Sequence, residues 1–115
     1  MTNYNELIDA LVKAYPEFEI TMGTTNTLRA PSIIIQLESI DTEYADDSIY
    51  GVMSATYSIL YYVETTAKFD PWPAARLFGN LSQINFDRLV DGEAFQSVVT
   101  INGPHCLWSK VNANG

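Results

Sequence analysis

His105 is the chain's one histidine and Cys106 its one cysteine, and they are adjacent. An enzyme working through an imidazole base or a thiolate nucleophile would have to use this pair. Successive side chains on a strand point to opposite faces, so the imidazole and the thiol do not meet if this segment is extended. They follow Asn102-Gly103, the strongest turn signal in the chain, and Pro104, which belongs at a strand start or edge. No Gly-x-Ser-x-Gly elbow occurs to supply a serine nucleophile. The pair therefore reads as a turn or edge histidine beside a buried, apolar thiol. One His and one Cys do not make a zinc ligand set. The run Asp41-Thr42-Glu43-Tyr44-Ala45-Asp46-Asp47 has the carboxylates of a calcium loop. It lacks the glycine at the sixth position and the glutamate at the twelfth, and no helices are expected beside it. Neither Gly-x-x-x-x-Gly-Lys nor Gly-x-Gly-x-x-Gly is present to cradle a phosphate. Nothing in the spacing fixes two carboxylates across a cleft as a glycosidase needs. The expectation is no catalytic residue, no cofactor and no metal.

The charge is more informative. The 115 residues carry 14 acidic and 6 basic side chains, a net charge of -8. That balance argues against a general nucleic-acid binder or a polybasic membrane-surface protein, both of which need clustered Lys and Arg. No stretch approaches the length of a bilayer-spanning apolar segment, and the opening Met-Thr-Asn-Tyr-Asn-Glu has no basic region followed by an apolar one. From Ala30 to Ala67 there is no Lys or Arg, while Glu38, Asp41, Glu43, Asp46, Asp47 and Glu64 all fall there. The basic residues, Lys13, Arg29, Lys68, Arg76, Arg88 and Lys110, lie outside it.

The elements that must position these charges follow from periodicity. Asn3 is a good N-cap, with Glu6 completing a capping box. Tyr4, Leu7, Ile8, Leu11, Val12 and Tyr15 then recur at helical spacing until Pro16 ends the helix. Glu17–Met22 alternates like a short half-buried strand, and Ser32–Ile40 reads as a second. The acidic Asp41–Ser48 stretch is an exposed loop. Tyr50–Thr65 is a long strand, with Met53, Ala55, Tyr57, Ile59, Tyr61 and Val63 on one face. Asp70-Pro71 opens a second helix whose stripe is Ala74, Leu77, Phe78, Leu81 and Ile84, unless Gly79 ends it early. Asn85–Gly92 connects to a final hairpin, Glu93–Ile101 and Cys106–Val111. The order α–β–β–β–α–β–β predicts one α+β domain over residues 1–115. Its mostly antiparallel sheet has about five strands, with both helices packed on one face. Ile33, Ile35, Leu37, Tyr57, Ile59, Tyr61, Phe78 and Leu81 are the expected core.

One length does not fit a compact body. The 16 residues of Tyr50–Thr65 would run about 50 Å as a straight strand. A domain of this size is roughly 35 Å across. The strand must bend through a bulge, at Gly51 or Ser54, or its hairpin must project. A projecting hairpin exposes unpaired edges and invites pairing with another subunit. Its acidic tip, repeated around a ring, makes a collar that repels DNA phosphates and lets a duplex slide. The aromatic residues admit two readings. Tyr57, Tyr61, Tyr62, Trp72 and Trp108 are either ordinary core and sheet packing, or, for some of them, a subunit interface, where Tyr and Trp are favoured.

This layout resembles the tail terminator, or tail-completion, proteins of long-tailed bacteriophages. The likeness rests on the capped helix leading into Pro16-Glu17-Phe18-Glu19-Ile20, on the long hairpin from Ser32-Ile33-Ile34-Ile35-Gln36-Leu37 to Ser58-Ile59-Leu60-Tyr61-Tyr62-Val63, and on the single helix and C-terminal hairpin that follow. It covers roughly Asn3 to Val111 as a pattern of elements, with no residue motif to transfer, and Trp72-Pro73 so early in the second helix has no counterpart in it. The resemblance implies a structural virion protein without enzymatic activity. It would be assembled in the host cytoplasm and located at the tail end or neck. It would form a homo-oligomeric, hexameric ring that caps the tail tube protein, stops tube polymerisation and meets the head–tail connector or stopper. DNA would pass through the lumen without specific binding. On that reading Asp41, Glu43, Asp46 and Asp47 face the lumen or a neighbouring ring, and Tyr57, Tyr61, Tyr62 and Trp72 lie between subunits. Two alternatives stand beside it: another neck or head-completion protein, and a small acidic module that mimics DNA to bind or inhibit a basic partner.

Overall fold

The capping residues begin the first helix as the sequence dictates. In the computed structural model, which describes residues 3–23, 31–45, 49–84, 92–103 and 105–107, α1 spans Tyr4–Ala14. Asn3 Oδ1 accepts the Glu6 backbone N–H at 2.8 Å, satisfying one of the donors a helix start leaves open. Tyr4, Leu7, Leu11 and Tyr15 are buried. Val12, counted in the same stripe, is 50% exposed because it lies about 100° round the helix from Leu11.

Five strands form one sheet: β1 (Glu19–Met22), β2 (Ser32–Ala45), β3 (Ile49–Val63), β4 (Ser82–Ile84) and β5 (Glu93–Asn102). The order across the sheet is β1-β2-β3-β5-β4. Only β1 with β2 is parallel; the other pairs are antiparallel. A short 3-10 turn (Thr66–Lys68) leads from β3 to α2 (Trp72–Phe78). The fold is thus the expected α+β arrangement, with a mostly antiparallel sheet.

The core lies between one face of the sheet and the two helices. Ile33 and Ile35 of β2, Ala55, Tyr57, Ile59, Tyr61 and Val63 of β3, and Phe95 and Ile101 of β5 meet the α1 stripe and Ala74 of α2. Leu37, Phe78 and Leu81 pack against this cluster at its margins. Buried tyrosines supply much of the volume, and their hydroxyls tie elements together. Tyr15 OH donates to the Asp70 carbonyl at 2.7 Å and accepts the Ala74 N–H at 3.1 Å, joining the end of α1 to the start of α2. Tyr61 OH donates to Ser97 Oγ at 3.1 Å, which donates onward to the Asn80 carbonyl at 2.9 Å.

Three expected boundaries change. β2 runs on through Asp41–Ala45, which the sequence assigns to an exposed loop. The second helix does not run on to Ile84. Gly79 adopts a left-handed conformation (φ +74), which a glycine takes without steric cost, and ends α2 at Phe78. Its N-cap is Pro71, with Asp70 Oδ1 accepting the Trp72 N–H at 3.2 Å. Asn80 then does the work of a strand residue. Val98 N–H donates to Asn80 Oδ1 at 2.7 Å, and Asn80 Nδ2 donates to the Val98 carbonyl at 2.8 Å. This grip on the β5 edge turns the chain into β4, so Ile84 belongs to a strand. The C-terminal hairpin also changes. Gly103 turns the chain, but Cys106 and Leu107 are not in a strand. The segment crosses to the start of α1, where His105 bridges to Asn3 and its carbonyl accepts the Tyr4 N–H at 2.9 Å. The Cys106 carbonyl accepts Tyr57 OH at 2.5 Å. The hydroxyl of a buried tyrosine needs a partner, and it finds one here. Trp108 and the rest of the expected last strand lie outside the described residues.

Two predictions follow from this packing. Asn80→Ala removes both bonds to Val98 and frees the edge, so equilibrium urea unfolding should show a loss of about 1–3 kcal/mol. Burial raises the pKa of Tyr4 and Tyr15, and that of Tyr57 and Tyr61 most. In the unfolded chain these groups ionise near pH 10, so the stability they confer is complete below that pH. It falls as pH rises further, by up to about 1.4 kcal/mol per pH unit for each tyrosine. Melts followed by tyrosinate absorbance should show deprotonation coinciding with unfolding.

Candidate functional site: the projecting ribbon

β2 and β3 are far longer than their neighbours. β1 lies against β2 only from Ser32 to Ile35, and β5 lies against β3 only from Ser54 to Val63. β2 and β3 stay paired with each other out to Ala45 and Ile49. Beyond Asp41 and Ser54 the sheet is therefore two strands wide among the described residues. Residues 42–45 of β2 and 49–53 of β3 extend this ribbon by roughly 13–16 Å. The molecule measures 53 × 29 × 26 Å.

The strand length is resolved by both devices, bending and projection. The register passes from Leu37–Tyr57 to Ser39–Thr56, leaving Glu38 unopposed on β2. It passes again from Asp41–Ser54 to Thr42–Val52, leaving Met53 unopposed on β3. The second irregularity is adjacent to Ser54, one of the two positions proposed from sequence. Each extra residue bends its strand and increases the local twist. The first sits close to where β1 ends and the second close to where β5 ends.

The acidic residues fall on this ribbon. Asp41 is exposed on β2, and Ser54 Oγ donates to its carboxylate at 3.4 Å. Glu43 lies further along β2, opposite Gly51 in the register. Asp46 and Asp47 lie outside the described residues. Glu38, at the bulge, is exposed and was no part of the acidic set read from the loop. Ile40, 42% exposed, is the last apolar side chain described on the helix-side face of β2.

The aromatic residues divide. Tyr57 and Tyr61 do not lie at a subunit surface. Both have zero exposure within their own chain, where they pack under α1 and bond to Cys106 and Ser97. The same alternation that puts Ile59 in the core puts them there too. Tyr62, on the opposite face of the sheet, is half-buried. A Cβ at Gly92 would come within 2.5 Å of its ring and 2.7 Å of the Val63 carbonyl, so this crossing needs glycine. Trp72 is 65% exposed on α2, the most exposed large apolar side chain described.

Elsewhere, His105 is exposed and Cys106 is fully buried, so the pair does not converge. Among the described residues no three His, Cys, Asp or Glu side chains are grouped to hold a metal, and no helix is long and apolar enough to cross a membrane. A groove of about 230 Å³ is lined by Glu17, Phe18, Pro31, Val63, Glu64 and Lys68. It sits at the Val63 end of β3, away from the ribbon tip. Its one ion pair, Lys68 with Glu64 at 3.4 Å, is solvent-exposed and contributes little.

Comparison with protein-family models and with curated proteins finds no match.

The ribbon can thus be tested apart from the body. Among the described residues, neither β1 nor β5 pairs with residues 42–45 or 49–53. Replacing residues 42–53 with a two-residue Asn-Gly turn should leave the melting temperature nearly unchanged, because the hairpin register to Ser54 is kept.

Proposed function

We propose that the chain is a structural virion protein that forms a ring on the end of a phage tail tube, stops tube growth and joins the tail to the head connector. The observation that carries the reading is the two-stranded ribbon, which extends beyond every strand described as flanking it. A ribbon of this kind is marginally stable alone in water and gains from neighbours along its edges. Repetition around a closed axis supplies those neighbours. The region from Ala30 to Ala67, which includes the ribbon, contains no cation. Gathered in a ring, its Asp41 and Glu43 would line or rim the opening with negative charge and give passing DNA no phosphate anchor. The likeness of the element order to tail terminators supports the same assignment. A ring number of six and the identities of the tube and connector partners come from that likeness.

A neck or head-completion ring would share the ribbon and the acidic rim, and is separated by position. Added to tail tube protein under polymerising conditions, the chain should yield tubes that stop growing and carry extra density at one end. Tubes that lengthen as freely with it as without it would contradict the assignment.

A further inference from the structure

The ribbon has two different edges, and they free themselves at the same end of the molecule. On one side, among the described residues, β2 has no outer partner beyond Ile35, over residues 36–45. The Gly23 N–H donates to the Ile35 carbonyl at 2.8 Å, the last described bond that covers this edge. On the other side, among the described residues, β3 has no outer partner over residues 49–53, because its pairing with β5 ends at Ser54. On the far side of the sheet, β4 covers β5 over Ala94–Gln96, and Asn80 closes Val98.

The two free edges differ in charge. The β2 segment contains Glu38, Asp41 and Glu43, and the β3 segment, Ile-Tyr-Gly-Val-Met, contains no charge at all. The β3 segment also has high strand propensity and no proline, the composition of a segment that readily accepts another strand. Pairing β2 with β2 across a two-fold axis would set carboxylates of the two copies against each other, which is destabilising. Pairing β3 with β3 avoids that clash but leaves both β2 edges, the longer ones, open. Pairing the β3 edge of one copy with the β2 edge of the next covers the whole β3 edge and about half of the β2 edge. It also keeps the antiparallel sense of the hairpin, with all ribbons pointing the same way.

We infer that the chain assembles head to tail through this ribbon: residues 49–53 of each copy add as a strand to the outer edge of residues 36–45 of the next copy. The inference deepens the proposed function by naming the contact and its polarity, and relies on it only for taking the partner to be a second copy. Such a contact is heterologous, so it closes into a ring when the rotation permits and extends otherwise. The copies are alike in charge, so added salt should strengthen the assembly by screening their repulsion.

Single-cysteine variants test the polarity, since the native Cys106 is fully buried. Asp41→Cys marks the β2 edge and Val52→Cys marks the β3 edge. Mixed in equal amounts, with one isotopically labelled, and treated with a short bis-maleimide, they should give mainly the mixed covalent dimer. An excess of roughly tenfold over either self-linked dimer is expected if the wrong pairings cost about 1.4 kcal/mol. A predominance of Val52→Cys dimers would show a two-fold contact and overturn the inference. So would cross-linking no greater than that of the exposed surface control Asp9→Cys. If the mixed dimer forms but tubes are not capped, the functional assignment fails and the contact stands. If tubes are capped without it, the contact alone fails.

Discussion

The pairing of β2 with β3 sets everything else in this molecule. Strands of 14 and 15 residues are bonded to each other along nearly their whole length. Helices of 11 and 7 residues cannot cover so long a surface. Nor can flanking strands of 4, 10 and 3 residues. The half of the hairpin they do cover is a conventional core, in which burial of apolar surface supplies the driving force. Among the described residues, the other half is held by the pairing of β2 with β3. One polypeptide thus contains a well-buried body and a strand pair that is poorly supported in isolation, separated by the two bulges.

The body is held by buried tyrosines as much as by aliphatic packing. Tyr15, Phe69 and Phe95 stack in sequence, with ring centroids 5.6 and 4.7 Å apart, and Tyr61 stands 5.5 Å from Phe69. Offset and tilted rings of this kind contribute about 0.5–1.5 kcal/mol per pair beyond their burial. The hydroxyls of Tyr15, Tyr57 and Tyr61 reach the start of α2, the segment after β5, and β5 itself. These bonds fix how the helices and the C-terminal crossing sit on the sheet. None of these bonds involves residues 42–45 or 49–53.

Much of this is legible in the residues. The Asn3 cap and the Tyr4, Leu7, Leu11 stripe specify α1, and strict alternation specifies β2, β3 and their inward faces. The mismatch between strand length and domain size already calls for a bend or a projection, and the structure has both. Other features depend on contacts between distant residues. Tyr57 and Tyr61 alternate with Ile59 and so belong inside, but their hydroxyls make an interface equally reasonable until Cys106 and Ser97 are seen to satisfy them. Phe78, Leu81 and Ile84 keep helical spacing, and only the left-handed Gly79 and the grip of Asn80 on Val98 show that the last of them is in a strand. The parallel pairing of β1, and the crossing of residues 105–107 to α1, have no local signal at all. Of the candidate site, the acidic character is plain from the sequence, whereas the asymmetry of its two edges appears only once the ends of β1 and β5 are known.

The central claim is that the ribbon is completed by neighbouring copies. Amide hydrogen exchange, followed on the free chain and on the assembled ring, tests it most directly. The account predicts rapid exchange in the free chain for those amides of residues 36–45 and 49–53 that point away from the β2–β3 pairing, and strong protection of the same amides after assembly, with the body unchanged. Equal protection of these amides before and after assembly would contradict it.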